Sequence, residues 1–328
     1  MVKRFVKHIR VNPYMTVKDL ISEFEMAGVL GGGRMAKAAE ILSEMFSKGE
    51  YMNILALAGP LVPGGLRRII RDLVAEGFIH AIVSTGANVT HDIIEALGFR
   101  HIIGRAGVDD ERLRDRSIGR IYDIFIGEEA FEALERHIHK ILDEIDLSPK
   151  EMGNLATYEL LRRLGEKLQD EESILRTSAK KGAPIFCPTI YDSILGMNLW
   201  TYAQVKGLKL NPFLDFTKLV DLTHEAERTG LIILGGGSPK HYALLANIMR
   251  GGVDLAVQVT MDRPEAGGLS GAPLEESISW RKIRKGGKMA SVIGDATILF
   301  PMLIAASLPR LKSGVKEVYG RNWLMKRP

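Results

Sequence analysis

The chain is poor in cysteine and has no long apolar run. Of its 328 residues only Cys187 is a cysteine, so no intrachain disulfide can form, which indicates a reducing compartment. Cys187 lies in the apolar run PIFCP without an evident base nearby, a pattern that predicts a buried structural thiol. No apolar run reaches the roughly 18 residues that a helix needs to cross a bilayer, so we expect no membrane partner.

Signals for export and for nucleic-acid binding are also missing. The N-terminal MVKRFVKHIRV is basic but has no hydrophobic core or cleavage site, so we expect no signal peptide and a cytoplasmic protein. The net charge of +4 is small for this length, and basic residues alternate with acidic ones. Nucleic-acid binding would need a concentrated basic stripe, and we predict none. The histidines show no metal-ligand spacing, so no metal site is predicted.

From residue 53 onward, short apolar runs alternate with amphipathic segments. The runs are NILALAG (53–59), AIVSTGA (81–87), DIFIG (123–127), PIFCPT (184–189), LIILGGG (231–237), LAVQVT (255–260) and ASVIG (290–294). Alternating strands and helices of this kind indicate a parallel sheet between two helical layers. We therefore predict an α/β fold with a Rossmann-like, doubly wound, mainly parallel sheet and helices on both faces.

The first 50 residues predict a helical extension. Thr16 can cap the helix VKDLISEFEMAG, which ends near Gly28. Because no strand precedes the glycine cluster 31–33, we interpret it as a turn between helices, and RMAKAAEILSEMFSKG predicts the second helix. Residues 1–50 are thus predicted as an extension, and residues 51–328 as one α/β domain.

Small or polar residues follow several predicted strands. They are Ala58-Gly59, Ser84-Thr85-Gly86-Ala87-Asn88, Asp192, Gly235-Gly236-Gly237 and Asp295-Ala296. Carboxyl ends of parallel strands meet at one edge of a sheet, where the free N–H groups of helix N-termini can bind phosphates and carboxylates can reach ribose hydroxyls. The G-x-G-x-x-G fingerprint is absent, so spacing alone does not predict a standard dinucleotide fold, and each position could equally be an ordinary turn.

The centre of the segment 264–301, residues 275–283, carries one lysine, Lys282, among a tryptophan, carboxylates and hydroxyls. If the segment is helical, Lys282 shares a face with Glu275 and Ser279, and Glu276 shares the neighbouring face with Trp280. An apolar wall or a nearby cation would turn such a lysine into a nucleophile at neutral pH. The alternative is that WRKIRKGGK is a solvated basic turn.

Three motifs in this order resemble those of the deoxyhypusine synthases: LIILGGGSPKH, SISWRKI and IGDATILFP. The matches extend from about residue 55 to residue 308, and GGLSGAP resembles the archaeal branch of the family. The resemblance implies an NAD-dependent transferase that modifies one lysine of a translation factor, with Lys282 as the covalent carrier. It makes residues 51–328 an NAD-binding catalytic domain and implies a homotetramer with shared active sites.

The resemblance also assigns roles to further residues. It implies cofactor contacts by Thr85, Gly86, Ala87, Asp192, Gly236, Gly237, Thr260, Asp295 and Ala296. His241 would lie beside the polyamine and take part in proton transfers, and a position near a helix N-terminus would favour its neutral ring. Glu276 would bind an amine of the substrate, and Trp280 would pack against its aliphatic stem.

The implied scheme begins with NAD removing hydride from spermidine to give an imine. Lys282 attacks this imine, releases diaminopropane and passes the aminobutyl group to the acceptor lysine, where the retained hydride reduces the product. Such chemistry requires an enclosed, dry pocket.

Three departures from the family pattern concern the polyamine and the carrier lysine. Met197 and Leu269 replace aspartates of eukaryotic members, and Arg281 replaces the glycine that usually precedes the carrier lysine. Because the two aspartates help to hold the polyamine, three alternatives stay open. They are homospermidine synthesis, a different donor such as agmatine, and a catalytically silent paralogue that only binds NAD or the translation factor.

Overall fold

A computed structural model of the chain describes residues 4–47, 49–145 and 147–308. Its strands are β1 (Tyr51–Leu57), β2 (Ala81–Ser84), β3 (Ile102–Ile103), β4 (Ile118–Ile121), β5 (Ile124–Gly127), β6 (Ile185–Phe186), β7 (Arg228–Leu234), β8 (Val253–Thr260) and β9 (Ile283–Ile293). Six of them form one sheet in the order β6-β2-β1-β7-β8-β9. The pairs β2–β6, β7–β8 and β8–β9 are parallel. The predicted α/β class with a mainly parallel sheet is confirmed.

The helices fill most of the intervals between the strands. They are α1 (Val17–Ala27), α2 (Leu30–Ser47), α3 (Arg67–Ala75), α4 (Gly86–Ala96), α5 (Asp110–Arg114), α6 (Glu129–Glu144), α7 (Pro149–Met152), α8 (Thr157–Lys167), α9 (Ile174–Lys181), α10 (Ile194–Lys206), α11 (Pro212–Glu225), α12 (Gly237–Ala246), α13 (Glu276–Ser279) and α14 (Ala296–Ser307). None of the helices in the described part of the chain is long and apolar enough to cross a membrane.

The chain forms two compact units. One contains the described residues up to Ala56 together with those from Val220 onward, and the other is Leu57–Leu219. The predicted division of the chain into an N-terminal extension (1–50) and a single α/β domain (51–328) stays a prediction.

In the first unit, the strands β7, β8 and β9 are the framework. Leu234 pairs with Val259, and Thr260 pairs with Ile293, so the carboxyl ends of the three strands lie side by side. Leu231 to Leu234 are fully buried, because side chains on both faces of a central parallel strand meet helices.

In the second unit, β2 and β6 are parallel neighbours, and Cys187 directly follows β6. The thiol is buried, and burial raises its pKa to about 12, which confirms the predicted structural cysteine. The prediction that DIFIG belongs to the parallel sheet is wrong. Its residues form β5, the middle strand of a separate antiparallel sheet, because short turns join it to β4 and allow hairpin pairing.

The N-terminal helices differ from the prediction at one point. Thr16 caps α1 through a capping box with Asp19, and Gly28 ends the helix with φ +71°, as expected. The predicted turn at Gly31–Gly33 is wrong, because these glycines lie inside α2. A Cβ atom at Gly33 would lie 2.6 Å from the Gly28 carbonyl carbon, so α2 passes the end of α1 at a distance that only glycine permits.

Two substitutions in the first turns of α2 separate close packing from helix propensity. Gly33→Ala should lower the free energy of unfolding by roughly 1–3 kcal/mol, because the new methyl group collides with backbone. Gly31→Ala is the matched control: a Cβ atom there has no neighbour within 4 Å among the described residues. It should stabilise by roughly 0.5–1 kcal/mol. Urea unfolding measures both, and equal effects of the two variants would contradict the packing explanation.

Candidate active site

The segment before Lys282 is only partly helical. The helix α13 ends at Ser279, and Arg281 has a left-handed backbone with φ +58°. The N–H of Arg281 donates to the Ile278 carbonyl at 3.0 Å, and that of Lys282 donates to the Ser277 carbonyl at 2.9 Å. A left-handed residue with these two hydrogen bonds terminates a helix. The predicted helical face shared by Glu275, Ser279 and Lys282 is therefore wrong.

The backbone of Lys282 is fixed on both sides. Its carbonyl accepts from the N–H of Val253 at 3.0 Å, and β9 begins at the next residue. The side chain is half-buried, and its Nζ lies 5.3 Å from the centre of the Trp280 ring system. The alternative of a solvated basic turn holds for the exposed neighbours Arg281 and Lys285. It does not hold for Lys282, whose side chain is half-buried.

A pocket of about 350 Å³ in the first unit brings together the four predicted reaction and substrate residues. They are Lys282, His241, Glu276 and Trp280. One face of α12 supplies Leu244 and Leu245, which follow His241 at helical spacing, and Ile248 just after the helix completes the aliphatic wall. The pocket combines an amine, a carboxylate, an imidazole and apolar surface, a set that suits an aliphatic amine.

His241 lies in the second turn of α12, close to the helix start as predicted. Its Nδ1 is buried and has no hydrogen-bond partner among the described residues. A ring nitrogen in this position can accept or donate a proton at a bound substrate.

Lys240 is a pocket residue that the sequence analysis missed. Its side chain is 2% exposed, and its ammonium donates to Gln258 Oε1 (2.9 Å), Leu269 O (2.9 Å) and Ala272 O (2.6 Å). Burial lowers the pKa of Lys240 to about 8; Glu276 raises it and Lys282 lowers it further. Lysine is usually exposed, so a single lysine between Pro239 and His241 gave no signal for a buried role.

The predicted cofactor residues of the first unit lie at one edge of its strands. Gly236 and Gly237 follow β7, Thr260 ends β8, and Asp295-Ala296 follow β9. No side chain caps the N-terminus of α12 among the described residues, and the space beside Gly237 is open. Free backbone N–H groups next to open space fit a phosphate-bearing ligand. Asp295 caps α14 through the N–H of Thr297 at 2.8 Å and stays exposed.

The predicted cofactor residues of the second unit follow β2 and β6. Thr85, Gly86 and Ala87 begin α4, whose N-terminus likewise has no side-chain cap among the described residues. Gly86 lies against Ser193, where a Cβ atom would come within 2.3 Å of Oγ. Asp192 is exposed beside this contact, so a carboxylate and free N–H groups lie at the same strand ends.

Lys282 lies at the other end of the first unit's strands. Ile283 pairs with Val253 at the amino end of β8, whereas Ile293 pairs with Thr260 at its carboxyl end. At about 3.3 Å per residue, these two ends are roughly 23 Å apart. The lysine backbone is therefore distant from the carboxyl edge of its own strands.

Comparisons with known proteins identify the family of this chain. The deoxyhypusine synthase family model matches residues 19–307. This chain belongs to the deoxyhypusine synthase family. A probable deoxyhypusine synthase of Methanothermobacter thermautotrophicus is 46% identical over 306 residues, which cover 93% of this chain and 98% of the relative. The probable deoxyhypusine synthase 1 of Archaeoglobus fulgidus is 42% identical over 277 residues, which cover 84% and 89%.

A solved structure supports the same fold. The crystal structure of a candidate deoxyhypusine synthase from Entamoeba histolytica matches with a TM-score of 0.66 over 92% of this chain and 96% of the other, at 19% identity. The family membership predicted from the three motifs and the archaeal resemblance predicted from GGLSGAP are confirmed, and deoxyhypusine synthases are transferases.

The departures from the deoxyhypusine synthase pattern have structural consequences. Leu269 lines the pocket, where it adds apolar surface in place of a carboxylate. Met197 is exposed on α10 in the second unit. Arg281 holds a positive φ in the position where the family usually has glycine, so here a side chain bears the strain of the left-handed turn.

Substitution of Arg281 tests this strain. Arg281→Gly should raise the free energy of unfolding by about 1 kcal/mol relative to Arg281→Ala, because glycine adopts positive φ without a steric penalty. The alanine variant is the control, since it removes the guanidinium but keeps the Cβ atom. Urea unfolding midpoints measure the difference, and an alanine variant as stable as the glycine variant would show that the turn is unstrained.

Proposed function

We propose that this protein is an NAD-dependent deoxyhypusine synthase, which transfers the aminobutyl group of spermidine to one lysine of the hypusine-containing translation factor. The observation that carries the proposal is the grouping of Lys282, His241, Glu276 and Trp280 around one pocket. The family of the chain supports the reaction class.

In this proposal the pocket binds the donor through charge and apolar contact. The Glu276 carboxylate pairs with an ammonium of spermidine, and the exposed Trp280 ring covers its methylene chain. The aliphatic face of α12 excludes water from the carbon that reacts, because a C=N bond would otherwise hydrolyse.

Lys282 is the proposed nucleophile. Its Nζ adds to the C=N carbon of the oxidised donor, the C–N bond to diaminopropane breaks, and the aminobutyl group remains as an imine on Lys282. The acceptor lysine repeats this exchange and frees Lys282. The buried Nδ1 of His241 takes and returns the protons that these steps release and consume.

Hydride transfer away from the donor and back to the product imine is the chemistry that bound NAD would supply. In the first unit, the N–H groups at the start of α12 and the Asp295 carboxylate are proposed to hold its phosphates and hydroxyls, together with Gly236, Thr260 and Ala296. In the second unit, Thr85, Gly86, Ala87 and Asp192 are proposed to do the same.

We further propose a cytoplasmic homotetramer with active sites shared between copies. The backbone of Lys282 lies at the amino end of β9, whereas the proposed cofactor residues of the first unit lie at the carboxyl ends. A lysine from a second copy could approach the cofactor more directly, and a subunit interface would also exclude water.

The decisive variant is Lys282→Ala. Incubation with NAD, radiolabelled spermidine and borohydride should label the wild-type protein at Lys282, and the variant should lose the label with at least about a thousandfold fall in transfer. NAD binding should be unchanged. The control Lys285→Ala removes an exposed lysine of the same segment and should trap normally. Adduct on the Lys282→Ala protein would identify another amine as the carrier.

The same incubation with the acceptor protein distinguishes the alternatives. Label on the acceptor lysine supports deoxyhypusine synthesis. Label only in small amines would support homospermidine synthesis, and transfer from agmatine but not from spermidine would identify a different donor. No transfer from either amine, with NAD bound, would show a silent paralogue.

Hybrid oligomers test the shared site. Lys282→Ala and Asp295→Asn are each expected to be inactive at limiting NAD, and asparagine retains the helix cap at position 295. Coexpressed copies should regain roughly a quarter of the wild-type activity, because random pairing across a two-fold interface restores one of two sites in half of the pairs. Sites built from single chains would show no recovery.

A further inference from the structure

We propose that Lys240 is a positioning residue for the chemistry of Lys282, because it clasps the chain segment that forms one wall of the pocket. The segment is Leu269–Ala272, and Lys240 and Gln258 together are called the clasp. The proposal rests on the proposed function for its reaction, but the contacts that define the clasp belong to the chain alone.

The ammonium of Lys240 has all three of its N–H bonds in use. Two of them reach the carbonyls of Leu269 and Ala272, and the third reaches Gln258 Oε1 on β8. Three acceptors at 2.6 to 2.9 Å satisfy a buried ammonium without a carboxylate contact. A carbonyl forms a stronger hydrogen bond with a charged donor than with a neutral one, so the segment is held firmly at both of its ends.

Gln258 completes the clasp from the strand. Its Nε2 donates to the carbonyls of Gly235 (2.9 Å) and Ser270 (2.8 Å) while its Oε1 accepts from Lys240. The segment therefore lies against the carboxyl end of β7. A Cβ atom at Gly236 would come within 2.4 Å of Ser270 Cα, so the two backbones are in close contact.

The clasped segment leads directly to Lys282. Leu269 and Ala272 line the pocket, Leu274 is fully buried, and α13 follows and ends in the turn that presents Lys282. Movement of the segment would change the pocket wall and shift the anchor of α13. Lys240 thus acts on the reacting amine through the chain that carries it.

The contacts exclude Lys240 as a second nucleophile. An amine nitrogen that donates three hydrogen bonds is an ammonium, which has no free electron pair. Its three donors are committed to acceptors, and its side chain is 2% exposed. Lys240 is therefore a fixed cation and not a carrier.

The test uses the full-length protein and the variant Lys240→Met, which keeps the length and apolar volume but has no donor. Hydrogen exchange of the amides in residues 269–272 should accelerate at least tenfold, which corresponds to about 1.4 kcal/mol. Borohydride trapping at Lys282 should slow by at least about tenfold, with kcat falling more than KM rises. Lys285→Met, at an exposed position outside the pocket, is the matched control and should change neither.

A second variant disrupts the clasp at a different residue, so that the test still works if Lys240→Met fails to fold. Gln258→Glu keeps an acceptor for Lys240 but removes both donations to the carbonyls of Gly235 and Ser270. It should reproduce the faster exchange and slower trapping in milder form. Unchanged exchange in either folded variant would overturn the clasp. Faster exchange with unchanged kcat would overturn its role in positioning.

The two proposals fail in different ways. Wild-type protein that traps no adduct would refute the proposed function, and exchange at residues 269–272, which needs no substrate, would still decide whether the clasp holds the segment.

Discussion

The hydrogen-bonded ladder between β7, β8 and β9 positions the pocket residues of the first unit. The helix α12, with Lys240 and His241, begins where β7 ends. Gln258 belongs to β8, and Lys282 is anchored to the first residue of β8 before it leads into β9. A parallel ladder fixes the register of all three strands at once, because a slip by one residue would turn every side chain to the opposite face.

The two lysines of the pocket, Lys240 and Lys282, differ in how their positive charges are compensated. Lys240 is buried and paired with three oxygen acceptors, so its charge is compensated locally. Lys282 is half-buried beside an indole ring, and its side chain makes no ion pair among the described residues. A fully paired lysine is stable but unreactive, whereas an unpaired one is available for chemistry. Both residues are lysines, so their different hydrogen-bond partners separate the structural cation from the proposed carrier.

Much of the fold could be predicted, because it depends on patterns that are local in sequence. The short apolar runs that alternate with amphipathic segments indicated a parallel sheet, and Thr16 indicated a capped helix. The failures came from contacts between segments. The helical conformation of Gly31–Gly33 depends on the approach of α2 to Gly28, and the antiparallel pairing of β5 depends on its hairpin partner. No local pattern records either contact.

The candidate site shows the same limit. The motifs and the family resemblance identified four of the residues that line the pocket, since these carry distinctive side chains at fixed spacing. They did not reveal Lys240, whose role depends on two carbonyls some 30 positions later in the chain, nor the positive φ of Arg281, which only the terminated helix requires.

The substitution at Leu269 links this geometry to the choice of donor. Glu276 is the one carboxylate among the described residues that line the pocket, and Lys240 already adds a buried positive charge near it. One carboxylate can neutralise one ammonium of a donor, and the aliphatic face of α12 then favours methylene groups over a second charge. A polyamine with several ammonium groups must therefore place the others beyond this wall. In the proposed reaction, the residues that receive them would determine which amine is accepted.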